Sequence, residues 1–353
     1  MSVFEHSAFR DHEKVLFVSD KASGLKAILA VHSTVRGPSV GGCRMWTYDS
    51  SDAALTDVLR LSEGMSYKNI MADLPIGGGK SVIMRPEGAF DRTALFEAFG
   101  RALNALNGEY RSAEDVGVSP DDLDAASRYT DHLVGLSSGT GDPSPITARG
   151  VFFGVQVAAE RALGKSDLSG VKVVVQGATG HVGHYLVEHL AEAGAELILS
   201  DINEAALNAL AQKTGAKTVD KDAVYDVEAD VFAPCALGAI INPDTIDRLK
   251  VKAVAGAANN QLATPDMGAE LQKRGILYAP DYVINAGGII NVMGDIDPQF
   301  DAKWVEGKLQ GLKATLREIL DTAESEGRPA NIVSDEIARQ RIDAARSQRR
   351  EAA

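Results

Sequence analysis

Apolar positions in the opening of the chain come in short strand-like runs. KVLFVSD and LKAILAVHST, separated by the turn-like KASG, predict a hairpin that opens a first domain. The period then changes. Leu55, Val58, Leu59 and Leu61 fall at mostly helical spacing within 52–67, and TALFEAFGRALNAL at 93–106 repeats that spacing. Short apolar runs such as KSVIM lie between these helices. Farther on, VFFGVQVAAERAL predicts a helix, and LSGVKVVVQGATGHVGHYLVEHLAEAGAELILSDIN predicts a strand, a glycine turn, a helix and a second strand. VKVVV is continuously apolar, as expected of a strand covered on both faces. Val182, Leu186 and Leu190 mark one helical face that stops before Gly194. Further alternation in DVFAPCA, VKAVAGAANN, ILYAPDYV and NAGGIINV predicts a mostly parallel, doubly wound sheet. From Asp301, Val305, Leu309, Leu312, Leu316 and Ile319 predict a helix, and after Pro329 comes a charged last helix with Ser334 as its N-cap.

The densest glycine, serine and proline stretch, GLSSGTGDPSP at 135–145, is the natural connection between domains. A chain of 353 residues is long for one core, and about two domains are expected. The fold class is therefore α/β: an N-terminal α/β domain over 1–140 and a Rossmann-like doubly wound parallel sheet over 141–331. The closing helix, 332–353, is expected to pack back on the first domain. With 36 basic and 49 acidic side chains, a net charge of −13 argues against nucleic acid or an anionic membrane as partner and favours a small molecule. Two cysteines, Cys43 and Cys235, are too few for a disulfide framework or a four-ligand zinc site, so no metal is expected. MSVFEHSAFRDHEK has no basic region followed by a long apolar run, and no apolar segment reaches bilayer length. A cytoplasmic protein is the expectation.

LPIGGGKS, residues 74–81, has the look of a phosphate-binding loop. That loop needs its first glycine five residues before the last, where this chain has Leu74, and Pro75 removes a backbone donor from the cradle. The better dinucleotide signal is in the second domain, where Gly177, Gly180 and Gly183 sit between a strand and a helix. Such glycines permit a tight turn and close approach of a pyrophosphate to the helix N-terminus. Asp201, eighteen residues past Gly183 at the end of LILSD, is placed to accept from a ribose 2′-hydroxyl. Ile202, Asn203 and Glu204 follow it, none of them basic, which favours NAD over NADP.

A second constellation lies in the first domain. Lys68 precedes Lys80 by twelve residues, and SAEDVG supplies Asp115. Burial and a nearby cation both lower an amine's pKa towards base chemistry, and an ammonium also suits a substrate carboxylate. Taken singly, each lysine reads better as a solvated surface group, and Asp115 reads equally as a turn or capping acid.

With GGCRMWTY at 41–48, the YKN and LPIGGGKS blocks, SAEDVG, DPSPITARG, FAPCALGAIIN, AGAANNQL and YAPDYVINAGGIINV in order, the chain resembles the glutamate, leucine, phenylalanine and valine dehydrogenases, the leucine-specific members above all. The resemblance spans almost the whole chain. It implies a reversible oxidative deamination: hydride passes from the amino-acid Cα to NAD, and water converts the imine to a 2-oxo acid and ammonia. It implies that Lys68 binds the substrate carboxylate, Lys80 activates the attacking water and Asp115 shuttles a proton to and from the nitrogen. Gly42 would lie against the substrate through its backbone, Asn259 would lie where nicotinamide and substrate meet, and Thr147 and Ala236 would touch the cofactor. Glutamate-specific relatives carry a lysine where this chain has Val40. Val40, Ala113, Ile289 and Val292 would then form an aliphatic pocket for leucine, valine and isoleucine. Phenylalanine dehydrogenation is the alternative, and a non-catalytic NAD-binding protein of the same fold is the alternative from another class. The family further implies a homo-oligomer. Two departures stand out: a glycine loop one residue longer than the leucine-specific pattern, and a shorter polar linker at 136–145.

Overall fold

A computed structural model describes residues 2–136 and 139–351; Ser137 and Ser138 of the expected linker lie outside the described residues. The chain divides into two compact units. The first runs to Gly141 and takes in Val292–Gln299 and the chain from Arg339 onward; the second is Asp142–Asn291 with Phe300–Ala338.

The first unit is built on a five-stranded mixed sheet. Its elements are β1 (Lys14–Asp20), β2 (Leu25–Ser33), β3 (Ser39–Trp46), α1 (Ser51–Met71), β4 (Gly77–Met84), α2 (Arg92–Asn104), β5 (Tyr110–Glu114) and α3 (Pro120–Ser127). The strand order is β1-β2-β4-β3-β5, which makes β4 the central strand. The predicted hairpin pairs in unbroken antiparallel register from Lys14↔Val31 to Asp20↔Leu25. Ser50 and Asp91 cap α1 and α2 by accepting from the Ala53 and Ala94 N–H groups.

Because side chains alternate along a strand, register decides which of them share a face. Ala30 pairs with Lys80, Val40 with Gly78 and Arg111, and Gly42 with Ala113. Ala30, Val40, Gly42, Arg44, Gly78, Lys80, Val82 and Ala113 therefore belong to one face. Ile28, Ala30 and Val82 of that face pack on Ala54, Val58 and Leu59 of α1. The opposite face carries Leu29, Val31, Cys43, Met45 and Ile83 against Leu95, Phe96 and Phe99 of α2.

The second unit holds a six-stranded sheet in which every pair is parallel. Its elements are α4 (Ser144–Leu163), β6 (Lys172–Gln176), α5 (Gly183–Glu192), β7 (Glu196–Ser200), α6 (Glu204–Thr214), β8 (Lys217–Thr218), β9 (Val231–Pro234), β10 (Ala253–Val254), α7 (Asp266–Lys273), β11 (Leu277–Tyr278), α8 (Asp281–Ile284) and α9 (Gly287–Asn291). The order β11-β10-β9-β6-β7-β8 makes β6 the strand from which the chain winds to both sides, the position at which such sheets bind ligands. Val173, Val174 and Val175 are fully buried, as the apolar run predicted.

Two expectations are corrected. NAGGIINV, expected to continue the strand alternation, forms α9, because a short apolar run does not by itself separate a buried helix from a strand. There is no room for a side chain at Gly287, where a Cβ would sit 2.3 Å from the Ile146 carbonyl oxygen of α4. Ser334 is not an N-cap. After α10 (Met293–Ile296) and α11 (Ala302–Glu326), α12 begins at Ala330, and Ser334 is buried inside it with its hydroxyl 2.6 Å from the Tyr282 hydroxyl. The helix starts as soon as Pro329 is passed, since that carbonyl already accepts from the Ile332 and Val333 N–H groups. From Arg339 the helix groups with the first unit, where the Arg339 Nε donates to the Tyr67 hydroxyl of α1 at 2.8 Å.

Candidate active site

The three glycines of LPIGGGKS open strand β4 rather than a loop. A Cβ on Gly77 would lie 1.8 Å from the Ser33 carbonyl oxygen, one on Gly78 2.0 Å from the Ser66 N of α1, and one on Gly79 2.7 Å from the Tyr110 ring. Glycine is therefore required for the central strand to lie against its neighbours. Lys80 follows on the α1 side of the sheet and is only 6% exposed.

Its ammonium lies 2.6 Å from Asp115 Oδ2. Asp115 sits just past the end of β5, and a Cβ on Gly42 would be 2.7 Å from the Asp115 Cβ, so Gly42 lets the aspartate fold over β3. The Gly42 carbonyl is itself within 3.3 Å of the buried Tyr110 hydroxyl. Burial alone would push the Asp115 carboxyl up; Lys80 and Arg44 beside it outweigh this and hold it below the usual carboxylate range. Breaking even is the common fate of a buried ion pair, so stability is a weak reason for keeping one here. Arg44 Nε lies 3.4 Å from the same Oδ2, and its Nη1 reaches Asp57 of α1 at 3.1 Å. The Tyr48 hydroxyl donates to Asp57 at 2.7 Å.

Val40 is fully buried and Ala113 half-buried. Lys68 is half-buried near the end of α1, and Val292 opens the segment that rejoins the first unit. That segment is tied down by Asp295, which accepts from the Gly135 and Thr140 N–H groups at 2.8 and 2.7 Å. Burial pushes both the Cys43 and the Cys235 thiol up to about 12, which leaves neither as a nucleophile.

In the second unit, Gly177 follows β6 with φ +74, and a Cβ on it would meet the Ala236 N at 2.8 Å. A Cβ on Gly183 would lie 2.1 Å from the Gly177 carbonyl oxygen. The turn closes on itself and brings Ala236 beside it. Helix α5 begins there with Val182 as N-cap and no side-chain cap. At the end of β7, Asp201 accepts from the Thr179 N–H of the glycine turn at 2.8 Å and from Asn203 N–H at 3.0 Å. Burial opposes its charge, but these backbone donors hold its carboxyl below the ordinary value. Asn259 accepts from Asn285 Nδ2 at 2.8 Å. Thr147, in the first turn of α4, approaches Gly288, to whose added Cβ its Oγ1 would be 3.1 Å, and Ile289 follows half-buried in α9.

Residues 12–132 match the model of the Glu/Leu/Phe/Val dehydrogenase dimerisation domain, and residues 196–349 match that of the glutamate/leucine/phenylalanine/valine dehydrogenases. The chain is 44% identical to a leucine dehydrogenase of Bacillus subtilis (strain 168) over 99% of its own length and 96% of the relative's. The chain belongs to the Glu/Leu/Phe/Val dehydrogenase family. It is an amino-acid dehydrogenase and an oxidoreductase. A phenylalanine dehydrogenase of Bacillus thermotolerans is 46% identical over 81% of this chain and 77% of that one. The crystal structure of L-tryptophan dehydrogenase from Nostoc punctiforme superposes with a TM-score of 0.86 at 39% identity, covering 96% of this chain and 97% of that one.

The dehydrogenase's second unit fits a nicotinamide dinucleotide. Its glycine turn is closed too tightly for a Cβ at Gly177 or Gly183, the uncapped α5 N-terminus offers N–H groups to a pyrophosphate, and an ionised carboxylate stands beside both. No described helix is long and apolar enough to cross a membrane. Arg44, Asp57 and Tyr48 were not singled out from the sequence. The available signal was that Arg44 follows Gly42 by two positions and so shares its face of the strand.

Proposed function

We propose that this dehydrogenase catalyses the NAD-dependent oxidative deamination of branched-chain aliphatic L-amino acids, leucine with valine and isoleucine, to 2-oxo acids and ammonia, and the reverse reaction. The observation that carries this reading is the buried Lys80–Asp115 pair on the sheet face that also bears Val40 and Ala113. Lys68 holds the substrate carboxylate by charge. Asp115 accepts a proton from the substrate nitrogen. When bound, the nicotinamide supplies the acceptor for the Cα hydride. Lys80, in its amine form, takes a proton from the water that adds to the imine carbon, and Asp115 returns its proton to the departing ammonia. Gly42 keeps the floor beneath these groups free of side-chain bulk. Gly177, Gly180, Gly183, Asp201, Thr147, Ala236 and Asn259 make up the cofactor surface of the second unit.

A second carboxylate on the substrate would find only Val40 where a cation is needed, and an unpaired buried charge costs several kcal/mol, about 2–5. Assays with L-leucine, L-valine, L-isoleucine, L-phenylalanine, L-tryptophan and L-glutamate, followed by NADH absorbance, are expected to give activity with the first three and none with glutamate. One methylene in an apolar pocket is worth only about 1–3 kcal/mol, so the aliphatic substrates should differ by about 10- to 200-fold at most. Highest kcat/KM with phenylalanine or tryptophan would keep the chemistry and overturn the aliphatic assignment.

Asp201 favours NAD, because an ionised carboxylate accepts from a ribose hydroxyl and repels a 2′-phosphate. Asp201→Asn keeps an acceptor for Thr179 but removes the charge. The NAD over NADP preference in kcat/KM is expected to shrink by about tenfold or more, the scale of a hydrogen bond to a charged group. An unchanged ratio would remove Asp201 from cofactor selection.

A further inference from the structure

Arg44 Nε is buried and has no hydrogen-bond partner among the described residues, yet it points at the one carboxylate the proposed chemistry depends on, 3.4 Å away. A buried N–H left in that state calls for an explanation. The far side of the guanidinium is fixed: Nη1 makes 3.1 and 3.3 Å contacts to both oxygens of Asp57, and Asp57 is held in turn by the Tyr48 hydroxyl. Burial and the bond to Asp57 raise the Tyr48 hydroxyl far above its ordinary range, so it remains a donor. Arg44 is thus clamped from α1 and from the loop before it, and its fork is aimed across β3 at Asp115.

We propose that Arg44 is the positioning residue of Asp115: anchored by Asp57 and Tyr48, its guanidinium holds the Asp115 carboxylate over Gly42 and against Lys80. This rests on the reading of Asp115 as the proton carrier. A guanidinium remains charged throughout catalysis. Lys80, in that reading, does not, since it must act as an amine. When Lys80 is uncharged, Arg44 is the cation that keeps Asp115 in place and ionised. Among the described residues, Lys80 from β4 and Arg44 from β3 are ion-paired with Asp115; Asp57 stands behind Arg44 on α1, the helix that also carries Lys68, and the Cys43 thiol stays neutral. The 3.4 Å separation is one that can tighten when substrate displaces Lys80 from the carboxylate, as catalytic contacts commonly do.

Removing this cation makes a proton easier to hold on Asp115. The direction is fixed by charge alone: the acid limb of the kcat/KM profile must move to higher pH. The test compares wild type with Arg44→Gln, Arg44→Lys and Asp57→Asn, using L-leucine, with thermal melting and NAD calorimetry as controls of fold and cofactor binding. For Arg44→Gln we expect kcat to fall about tenfold or more with the acid limb shifted by about one unit upward. Arg44→Lys restores the limb through its charge but not the full kcat, because an ammonium has no fork to span Asp57 and Asp115. Asp57→Asn lowers kcat by loosening Arg44, while the loss of an anion does not carry the acid limb upward.

A folded Arg44→Gln enzyme with an unmoved acid limb would overturn the proposal and leave Arg44 a packing residue. If Arg44→Gln does not fold, the proposal stands or falls on whether Asp57→Asn and Arg44→Lys separate kcat from the limb as stated. Carbon-13 NMR titration of the Asp115 carboxyl in the same proteins gives a readout without turnover. Should the wild type deaminate none of the amino acids, the functional reading fails on that assay, while an upward-shifted Asp115 titration in Arg44→Gln still supports the positioning role and an unshifted one ends it.

Discussion

Lys80→Ala is expected to lower kcat/KM for L-leucine by about a thousandfold, the middle of the range lost with a positioned acid or base. The fold should survive. Truncating the lysine removes a buried cation, and the remaining anion, Asp115, keeps Arg44 at 3.4 Å, so no uncompensated charge is left in the site. Asp115→Ala is the harsher change. It would leave the ammonium of Lys80, only 6% exposed, without its 2.6 Å partner, and breaking a buried pair in this way costs about 3–5 kcal/mol. Lys80→Ala is therefore the cleaner reporter of chemistry. Initial rates of NADH formation, taken beside NAD calorimetry and a melting curve, decide the matter. A stable variant that binds NAD and retains more than about a tenth of the activity would show that Lys80 is not the base.

Gly78→Ala is expected to destabilise the protein strongly. The added Cβ would lie 2.0 Å from the Ser66 backbone nitrogen and 2.3 Å from its Oγ, on a helix packed along the central strand. Backbone cannot yield as the end of a flexible side chain can. A loss of about 4 kcal/mol or more, near 10 °C in melting temperature, follows from overpacking of this kind. Gly64→Ala is the control. That glycine lies in the middle of α1 with nothing within 4 Å of its added Cβ, and the change should stabilise by about 0.5–1 kcal/mol. The two alanine variants thus differ in sign for one chemical change. If GGGK were a phosphate cradle, Gly78→Ala would weaken nucleotide binding and leave the melting curve in place.

Much of the fold was legible because period and turn chemistry agree locally. The hairpin register, the buried VKVVV strand, the glycine turn into α5 and the long α11 each rest on signals within a few residues of one another. NAGGIINV misled because its apolar content suits a buried helix as well as a strand, and the contact that decides between them, Gly287 against Ile146, is with a segment far away in sequence. Ser334 misled because N-cap preference is a local rule, while this hydroxyl is taken by Tyr282, 52 residues earlier.

The candidate site divides along the same line. By itself the sequence determined the residue types: two lysines and an aspartate in recognisable blocks, a glycine-spaced turn with an acid at the end of the next strand, and a valine just before the Gly-Gly pair. It also determined the class of reaction those blocks imply. Only the tertiary structure decided which of these groups meet. The register of β3 between β4 and β5 puts Lys80, Gly42 and Arg44 on one face, and a one-residue slip would have sent them to the other. Burial of Lys80, its 2.6 Å approach to Asp115, and the anchoring of Arg44 by a helix and a loop are properties of that face. They depend on pairings between distant segments, and no window of sequence contains both partners.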